Sequence, residues 1–253
     1  MQPPSSTPPT VIAVPFHLDE RLPGLHLPLA ADVVVDPVLP AGSVWERVAA
    51  LQEQVATAVA AVPGGRPVVL SGDCTTSMGV VAGLQRAGVD PSVVWFDAHG
   101  DLQTPQTSTS GYLGGMPLRQ LVGGADRTVP GSLGLRDVPE RDVVLVDARD
   151  LDPPEAEFLA GSPIRHVPVG ALADALPAGP IYLHLDVDVL DPRDVPGLLF
   201  PTPGGPSADD VAVALQTVLA TGRVAAIGVG CTWHPDGDGG PAVAALVDAL
   251  TAG

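Results

Sequence analysis

Apolar residues follow two alternating rhythms along this chain. Short aliphatic, β-branched runs occupy residues 11–15, 32–36, 67–71, 92–96, 142–147, 181–186 and 223–229. They are continuous rather than alternating, which is the pattern of strands buried on both faces. Between them the spacing turns helical. Ser43-Val-Trp-Glu46 reads as a capping box opening a helix to about residue 62, with Val44, Val48, Leu51, Val55 and Val59 on one face. Further helices are expected over 75–87, ended by Gly88, over 207–221, between Ser207 and Gly222, and over 240–251. Strands alternating with helices predict an α/β fold of three layers, α/β/α, around a mostly parallel central sheet. With no internal repeat and no break in composition, residues 11–253 are expected to form a single domain. A Pro/Ser-rich start, residues 1–10, is expected to be disordered.

Composition adds exclusions. Acidic residues number 29 against 12 basic ones, a formal net charge of −17. Such a surface repels phosphate backbones and no basic run offsets it, so nucleic acid is not an expected partner. Cys74 and Cys231 are the only cysteines and show no paired spacing, which argues against a disulfide scaffold. The amino-terminal residues lack a basic segment followed by an apolar one, and no stretch approaches the ~20 apolar residues that span a bilayer. A cytoplasmic protein without a membrane partner is expected.

The chemistry gathers where strands end. In open parallel sheets, sites form beyond the carboxyl ends of the strands. Run 67–71 leads into Gly72-Asp73-Cys74, run 92–96 into Asp97-Ala-His99-Gly-Asp101, run 181–186 into Asp186-Val-Asp188-Val-Leu-Asp191-Pro192, and run 223–229 into Cys231-Thr232-Trp-His234. With an extended period of two, residues 97, 99 and 101 point to one side, as do 186 and 188. Four carboxylates beside an apolar core are costly to leave unpaired, and few Lys or Arg lie close in sequence. Divalent cations resolve that cost. Carboxylate oxygens with one imidazole suit manganese, with cobalt, nickel and zinc as alternatives. Asp191, before Pro192, reads equally as a turn residue.

These blocks resemble the arginase–agmatinase (ureohydrolase) family, whose motifs G-D-H, D-A-H-x-D and D-x-D-x-x-D-P are matched in order from Gly72, Asp97 and Asp186. The resemblance implies two Mn²⁺ per chain and a bridging hydroxide that attacks a guanidinium carbon. It implies that Asp97 and Asp186 bridge the metals, that Cys74 and Asp101 complete one site, and that His99 and Asp188 complete the other. Asp97, Asp101 and Asp186 are thereby the expected catalytic residues. The loop from Gln103 to Tyr112 resembles the part of arginase that holds the amino-acid end of the substrate. That resemblance implies carboxylate contacts from Gln103, Ser108 and Ser110, and recognition of the α-amino group by Asp152.

Three positions depart from the family pattern. Cys74 replaces a metal-binding histidine; a soft thiolate on a hard ion predicts a weaker site. The proton-shuttling histidine falls on Gly114, and the glutamate facing the guanidinium falls near Thr232. None of His17, His26 and His234 can be placed from the sequence as a substitute for the shuttle; His234 comes nearest because it follows a strand end, and a packed or surface histidine is its ordinary reading. Within the family, the cysteine most resembles the amidinohydrolases that convert Nω-hydroxy-L-arginine to hydroxyurea and L-ornithine for D-cycloserine, an antibiotic. Alternatives are arginase or agmatinase activity on another small guanidino substrate, or a metal-poor pseudoenzyme with a binding role. Both a monomer and a homo-oligomer fit the sequence.

Overall fold

The computed structural model describes residues 8–234 and 237–251. Among these residues ten strands occur: β1 (Thr10–Val14), β2 (Phe16–His17), β3 (Glu20–Arg21), β4 (Val33–Val34), β5 (Pro67–Ser71), β6 (Ser92–His99), β7 (Val143–Asp150), β8 (Arg165–Val167), β9 (Ile181–Asp186) and β10 (Val224–Gly230). Eight of them form one sheet in the order β4-β1-β5-β10-β9-β6-β7-β8, every pairing parallel; β2 and β3 form a separate antiparallel hairpin. The expected mostly parallel α/β architecture is what the chain adopts.

Among the described residues eight α-helices flank the sheet: α1 (Val44–Ala60), α2 (Thr76–Arg86), α3 (Pro117–Leu121), α4 (Thr128–Leu133), α5 (Pro153–Gly161), α6 (Leu172–Ala175), α7 (Ala208–Leu219) and α8 (Gly240–Thr251). The continuous apolar runs are explained by burial on both faces. Ile12, Val69, Val93, Trp95 and Tyr182 pack on the side of α1 and α2, whereas Val68, Leu70, Val94, Phe96 and Leu183 pack on the side of α7 and α8.

Local signals mostly hold. Ser43 and Glu46 make the reciprocal capping box: the Ser43 N–H donates to Glu46 Oε2 at 2.8 Å, and the Glu46 N–H to Ser43 Oγ at 3.4 Å. Val48, Leu51, Val55 and Val59 are buried along α1, but Val44, its first residue, is exposed. Ser207 caps α7 through the Asp210 N–H.

Three departures stand out. The run 32–36 contributes only Val33–Val34, an exposed edge, because Asp32 turns its carboxylate onto the Val11 N–H at 2.8 Å and Pro37 follows. Run 92–96 continues through His99, so the Asp97-Ala-His99 block lies on the strand itself. Helix α5, absent from the periodicity reading, begins at Asp152-Pro-Pro-Glu155, where Glu155 Oε2 accepts the Asp152 N–H at 3.0 Å. Thr10 opens β1 in place of the expected disordered end, and residues 1–7 lie outside the described part of the chain.

Candidate metal centre

The carboxyl ends of β5, β10, β9 and β6 lie side by side, and the sequence places Cys74, Thr232, Asp186 and Asp97 just at or beyond them. A pocket of about 190 Å³ opens there. Cys74, Asp97, His99, Asp101, Asp186 and Asp188 all line it, and so do Gln103, Ser108, Ser110, Asp152 and Thr232. Every metal and substrate residue expected from the sequence motifs therefore lines one cavity.

The acidic floor is buried and densely connected. Cys74 Sγ donates to Asp186 Oδ2 at 2.8 Å. His99 Nδ1 lies 3.1 Å from Asp188 Oδ2 and 3.3 Å from Asp97 Oδ1. Backbone amides fix the carboxylates: the His99 N–H donates to Asp97 Oδ1 at 2.7 Å, the Asp188 N–H to Asp186 Oδ1 at 2.9 Å, and the Ala98 N–H to Asp188 Oδ1 at 3.2 Å. The Trp95 indole donates to the second oxygen of Asp97 at 3.0 Å.

Asp101 is different. It adopts a left-handed backbone at φ +52°, uncommon for a residue with a side chain, and its buried Oδ2 has no hydrogen-bond partner. An orphaned carboxylate oxygen aimed among three other carboxylates and a thiol is the donor set a divalent cation requires. The residues fit a metal.

Titration follows from this crowding. Burial, then the neighbouring carboxylates, push Asp101 and Asp186 well above the carboxylate range. Burial raises Asp188 to about 6, aided by Asp97 and opposed by His99. Burial also opposes the ionised form of Asp97, yet hydrogen bonding and charge from His99 outweigh it and lower that carboxyl. Burial would discharge His99, but Asp188 and Asp97 push it up to about 12. Cys74 is raised well above the thiol range by burial and by Asp186, Asp101 and Asp97. A cation entering this cluster must displace several of these protons, so its uptake strengthens as pH rises.

Two overlapping triads have donor atoms within 4.8 Å of one another: Asp97–His99–Asp188 and Cys74–Asp97–His184. Asp97 belongs to both, as a bridging ligand would. His184 was not among the residues chosen from the sequence, where its position inside a buried strand reads as core.

Other groups also escaped motif reading. Arg149, mostly buried, donates to the carbonyls of Val189 at 2.9 Å, Thr202 at 2.7 Å and Asp188 at 3.3 Å, and pairs with Asp147. It thereby holds the turn that presents Asp188. The supporting strand is irregular here: Asp147 and Ala148 have positive φ and the β6–β7 register shifts between Asp97 and His99. Phe200 lies edge-on to His99 with ring centroids 6.4 Å apart and 5.2 Å from Tyr112. Asp191 is a turn residue; its carboxylate accepts from Arg193 and the Gly204 N–H, and the Arg193 hydrogen bond lowers it to about 2.

The loop from Gln103 to Tyr112 is tied to α5. Gln103 Nε2 donates to Asp152 Oδ2 at 2.7 Å, and Thr107 donates to Gln103 Oε1 at 2.7 Å. Ser108, half-buried, and Ser110, exposed, sit at the rim with their hydroxyls 3.5 Å apart. Thr232 Oγ1 donates to Asp186 Oδ1 at 2.6 Å, so its hydroxyl proton already serves the floor.

Gly114 explains the missing histidine. A Cβ there would fall 2.3–2.4 Å from the Tyr112 ring and hydroxyl. Tyr112 thus occupies the space a side chain at 114 would take. Its hydroxyl meets His17 Nε2 at 3.0 Å, and His17 Nδ1 lies 3.0 Å from the Gly72 carbonyl. Of these three histidines, His17 reaches the pocket through Tyr112, while His26 and His234 are exposed.

The orphaned carboxylate yields a test. Asn tolerates the backbone of Asp101 and carries no charge. A buried acid with a raised pKa costs the fold stability as pH climbs above the unfolded value of ~3.9, because the unfolded chain releases the proton first. Metal-free Asp101→Asn protein should therefore melt higher than the parent at pH 8, by about 2–4 °C per kcal/mol relieved. The gap should narrow towards pH 4, and manganese uptake should weaken. Thermal melts with a chelator across pH check this; an Asn variant that melts lower at pH 8 contradicts it.

The arginase family profile matches residues 12–232. The Nω-hydroxy-L-arginine amidinohydrolase of Streptomyces lavendulae is 37% identical over 134 residues, 51% of this chain and 47% of that protein. The arginase of Bacillus subtilis is 31% identical over 172 residues, 62% of this chain and 58% of that protein. The matched stretch thus spans about half the length of these curated relatives. In three dimensions the similarity extends further. The crystal structure of Bacillus subtilis arginase superposes with a TM-score of 0.80 at 26% identity, over 98% of this chain and 99% of that one. Bacillus cereus arginase gives a TM-score of 0.82 at 24% identity, covering 96% and 98%, a likeness of fold. With its motif blocks converging on one pocket and the profile spanning most of its length, the chain belongs to the arginase family.

Proposed function

We propose that this protein is a binuclear, manganese-dependent amidinohydrolase acting on an arginine-like amino acid, with Nω-hydroxy-L-arginine the leading substrate and hydroxyurea and L-ornithine the products. The observation that carries this reading is the convergence of Cys74, Asp97, His99, Asp101, Asp186 and Asp188 on one pocket floor, beneath a rim built by Gln103, Ser108 and Ser110. The floor residues would hold two divalent ions, with Asp97 and Asp186 shared. When bound, such a pair lowers the pKa of a shared water and stabilises the charge that develops on attack.

The chain's own groups supply the rest. The Ser108 and Ser110 hydroxyl oxygens accept the Gly111 and Tyr112 N–H groups, which leaves their own protons to donate to an α-carboxylate, and the Asp152 carboxylate suits an α-ammonium. A substrate gripped at its amino-acid end extends its guanidinium towards the floor, where burial excludes bulk water. Phe200 and Tyr112 wall the passage. Hydroxyarginine is favoured over arginine by Cys74, the substitution that departs furthest from the arginase pattern, and by the identity to the Streptomyces relative. An acidic, helix-covered α/β chain whose described cysteines are both unpaired, and in which no described helix is long and apolar enough to cross a membrane, suits a cytoplasmic enzyme of small-molecule metabolism.

Tyr112 and His17 form the proton path in this reading. His17 Nδ1 faces a carbonyl and must carry its proton, which leaves Nε2 to exchange one with Tyr112. Burial, followed by nearby Asp73 and Cys74, raises the Tyr112 phenol and keeps it protonated. A proton entering on His17 Nε2 passes to Tyr112 Oη as the phenol releases its own to the departing amine. His17, partly exposed, regains its proton from solvent.

Two measurements follow. After manganese loading, hydroxyarginine, arginine and agmatine are assayed side by side for hydroxyurea or urea; hydroxyarginine should turn over fastest and agmatine slowest. Equal turnover of agmatine contradicts the carboxylate-binding rim, and no turnover of any of them favours a pseudoenzyme. Tyr112→Phe should lower kcat by about 10²–10⁴-fold, the usual worth of a positioned acid, with manganese content and KM little changed. His17→Asn should lower kcat and shift its pH profile. Parental kcat in Tyr112→Phe would remove the proton path while leaving the hydrolase reading intact.

A further inference from the structure

The layer beneath the carboxylates carries a group outside the family's six-residue pattern. His184 lies on β9 two residues before Asp186, on the same face of the sheet, and is only 2% exposed. It pairs in register with Trp95 of β6, whose ring packs on it with centroids 3.8 Å apart. His184 Nδ1 lies 3.1 Å from Ser77 Oγ and 3.2 Å from the Tyr182 hydroxyl, and those two hydroxyls are 2.7 Å from each other. The support is built into the sheet: at Gly228 a Cβ would fall 2.2 Å from the Tyr182 hydroxyl, so glycine leaves room for it. The other ring nitrogen, Nε2, is buried without a hydrogen-bond partner. An unsatisfied buried polar atom costs about 1–3 kcal/mol, and nothing in the packing alone requires one here. The imidazole also lies with a ring nitrogen within 4.8 Å of both Cys74 Sγ and an Asp97 carboxylate oxygen.

We propose that His184 is an additional metal ligand, joining Cys74 and Asp97 at the cation site where the family's histidine is replaced by cysteine. The inference rests on the two-metal reading above. Its chemistry is that of a ligating histidine, with one ring N–H held by an outer partner and the opposite lone pair turned to the metal. Donation from Nδ1–H to the Ser77 or Tyr182 hydroxyl oxygen fixes the tautomer that leaves Nε2 free. A neutral nitrogen adds a donor to this anionic cluster without adding charge. Thiolate, imidazole and carboxylate together suit a borderline ion such as zinc or cobalt better than manganese. The two halves of the centre thus differ in preference: the Cys74–His184 half is softer, and the Asp97–His99–Asp188 half is harder.

His184→Asn tests this, since the Asn amide overlays Nδ1 and keeps its hydroxyl contacts while Nε2 is deleted. Equilibrium dialysis with metal analysis, using zinc and manganese separately, should show one of two sites weakened at least about tenfold, the scale on which even outer-shell changes act. The second site should stay unchanged, and the metal-free melting temperature should stay close to parental. Adding Cys74→His to His184→Asn should restore the lost site. Two unchanged sites in His184→Asn would overturn the assignment while leaving the two-metal reading in place. A parent that binds no divalent ion would overturn both. A crystal structure of the zinc-loaded parent answers independently of any variant: a Zn–Nε2 distance of about 2.0–2.1 Å is expected, and one beyond about 3 Å overturns the proposal.

Discussion

The constraint on which the rest of this structure depends is electrostatic: four aspartates and a cysteine are buried together, with one imidazole, His99, as the cation among them. Left ionised and unpaired, such a group would cost several kcal/mol per charge. Every feature around it reads as a response. Backbone amides of Ala98, His99 and Asp188 donate to the carboxylates. Burial and the neighbouring charges raise Cys74, Asp101 and Asp186, and Asp188 and Asp97 raise His99. Asp101 keeps a strained backbone and an orphaned oxygen. Together these describe a site held ready for external positive charge at the expense of the fold's own stability.

The sheet makes that constraint affordable. Strands buried on both faces fix β5, β10, β9 and β6 rigidly, so their carboxyl ends deliver side chains from distant parts of the sequence to one pocket. The bulged end of β7 and the guanidinium of Arg149 then set the turn after β9. The rim is built differently: Ser108, Ser110, Tyr112 and Phe200 come from loops rather than from strands.

Much of this was legible in the sequence, for physical reasons. Period-two spacing at strand ends announced Asp97, His99, Asp101, Asp186 and Asp188, and unbroken β-branched runs announced a parallel sheet. What stayed hidden depended on contacts between residues far apart in the chain. Tyr112 gains its place through Gly114 and its partner from His17, 95 residues away. His184 looks like core until Trp95, Ser77 and Cys74 are brought around it. His234 takes its ordinary surface reading although it follows a strand end: Trp233 is buried and His234 is exposed. Helix α5 was missed although Asp152-Pro-Pro-Glu155 carries a capping signal, because its apolar residues show little helical periodicity.

The central claim is that the buried acidic cluster is a two-cation centre. Crystals grown with manganese and measured at the manganese absorption edge test it most directly. The account predicts two anomalous peaks in the pocket, with Asp97 touching both and His99 and Asp188 on the stronger. An absence of peaks, or a single ion held without Asp97, would contradict it.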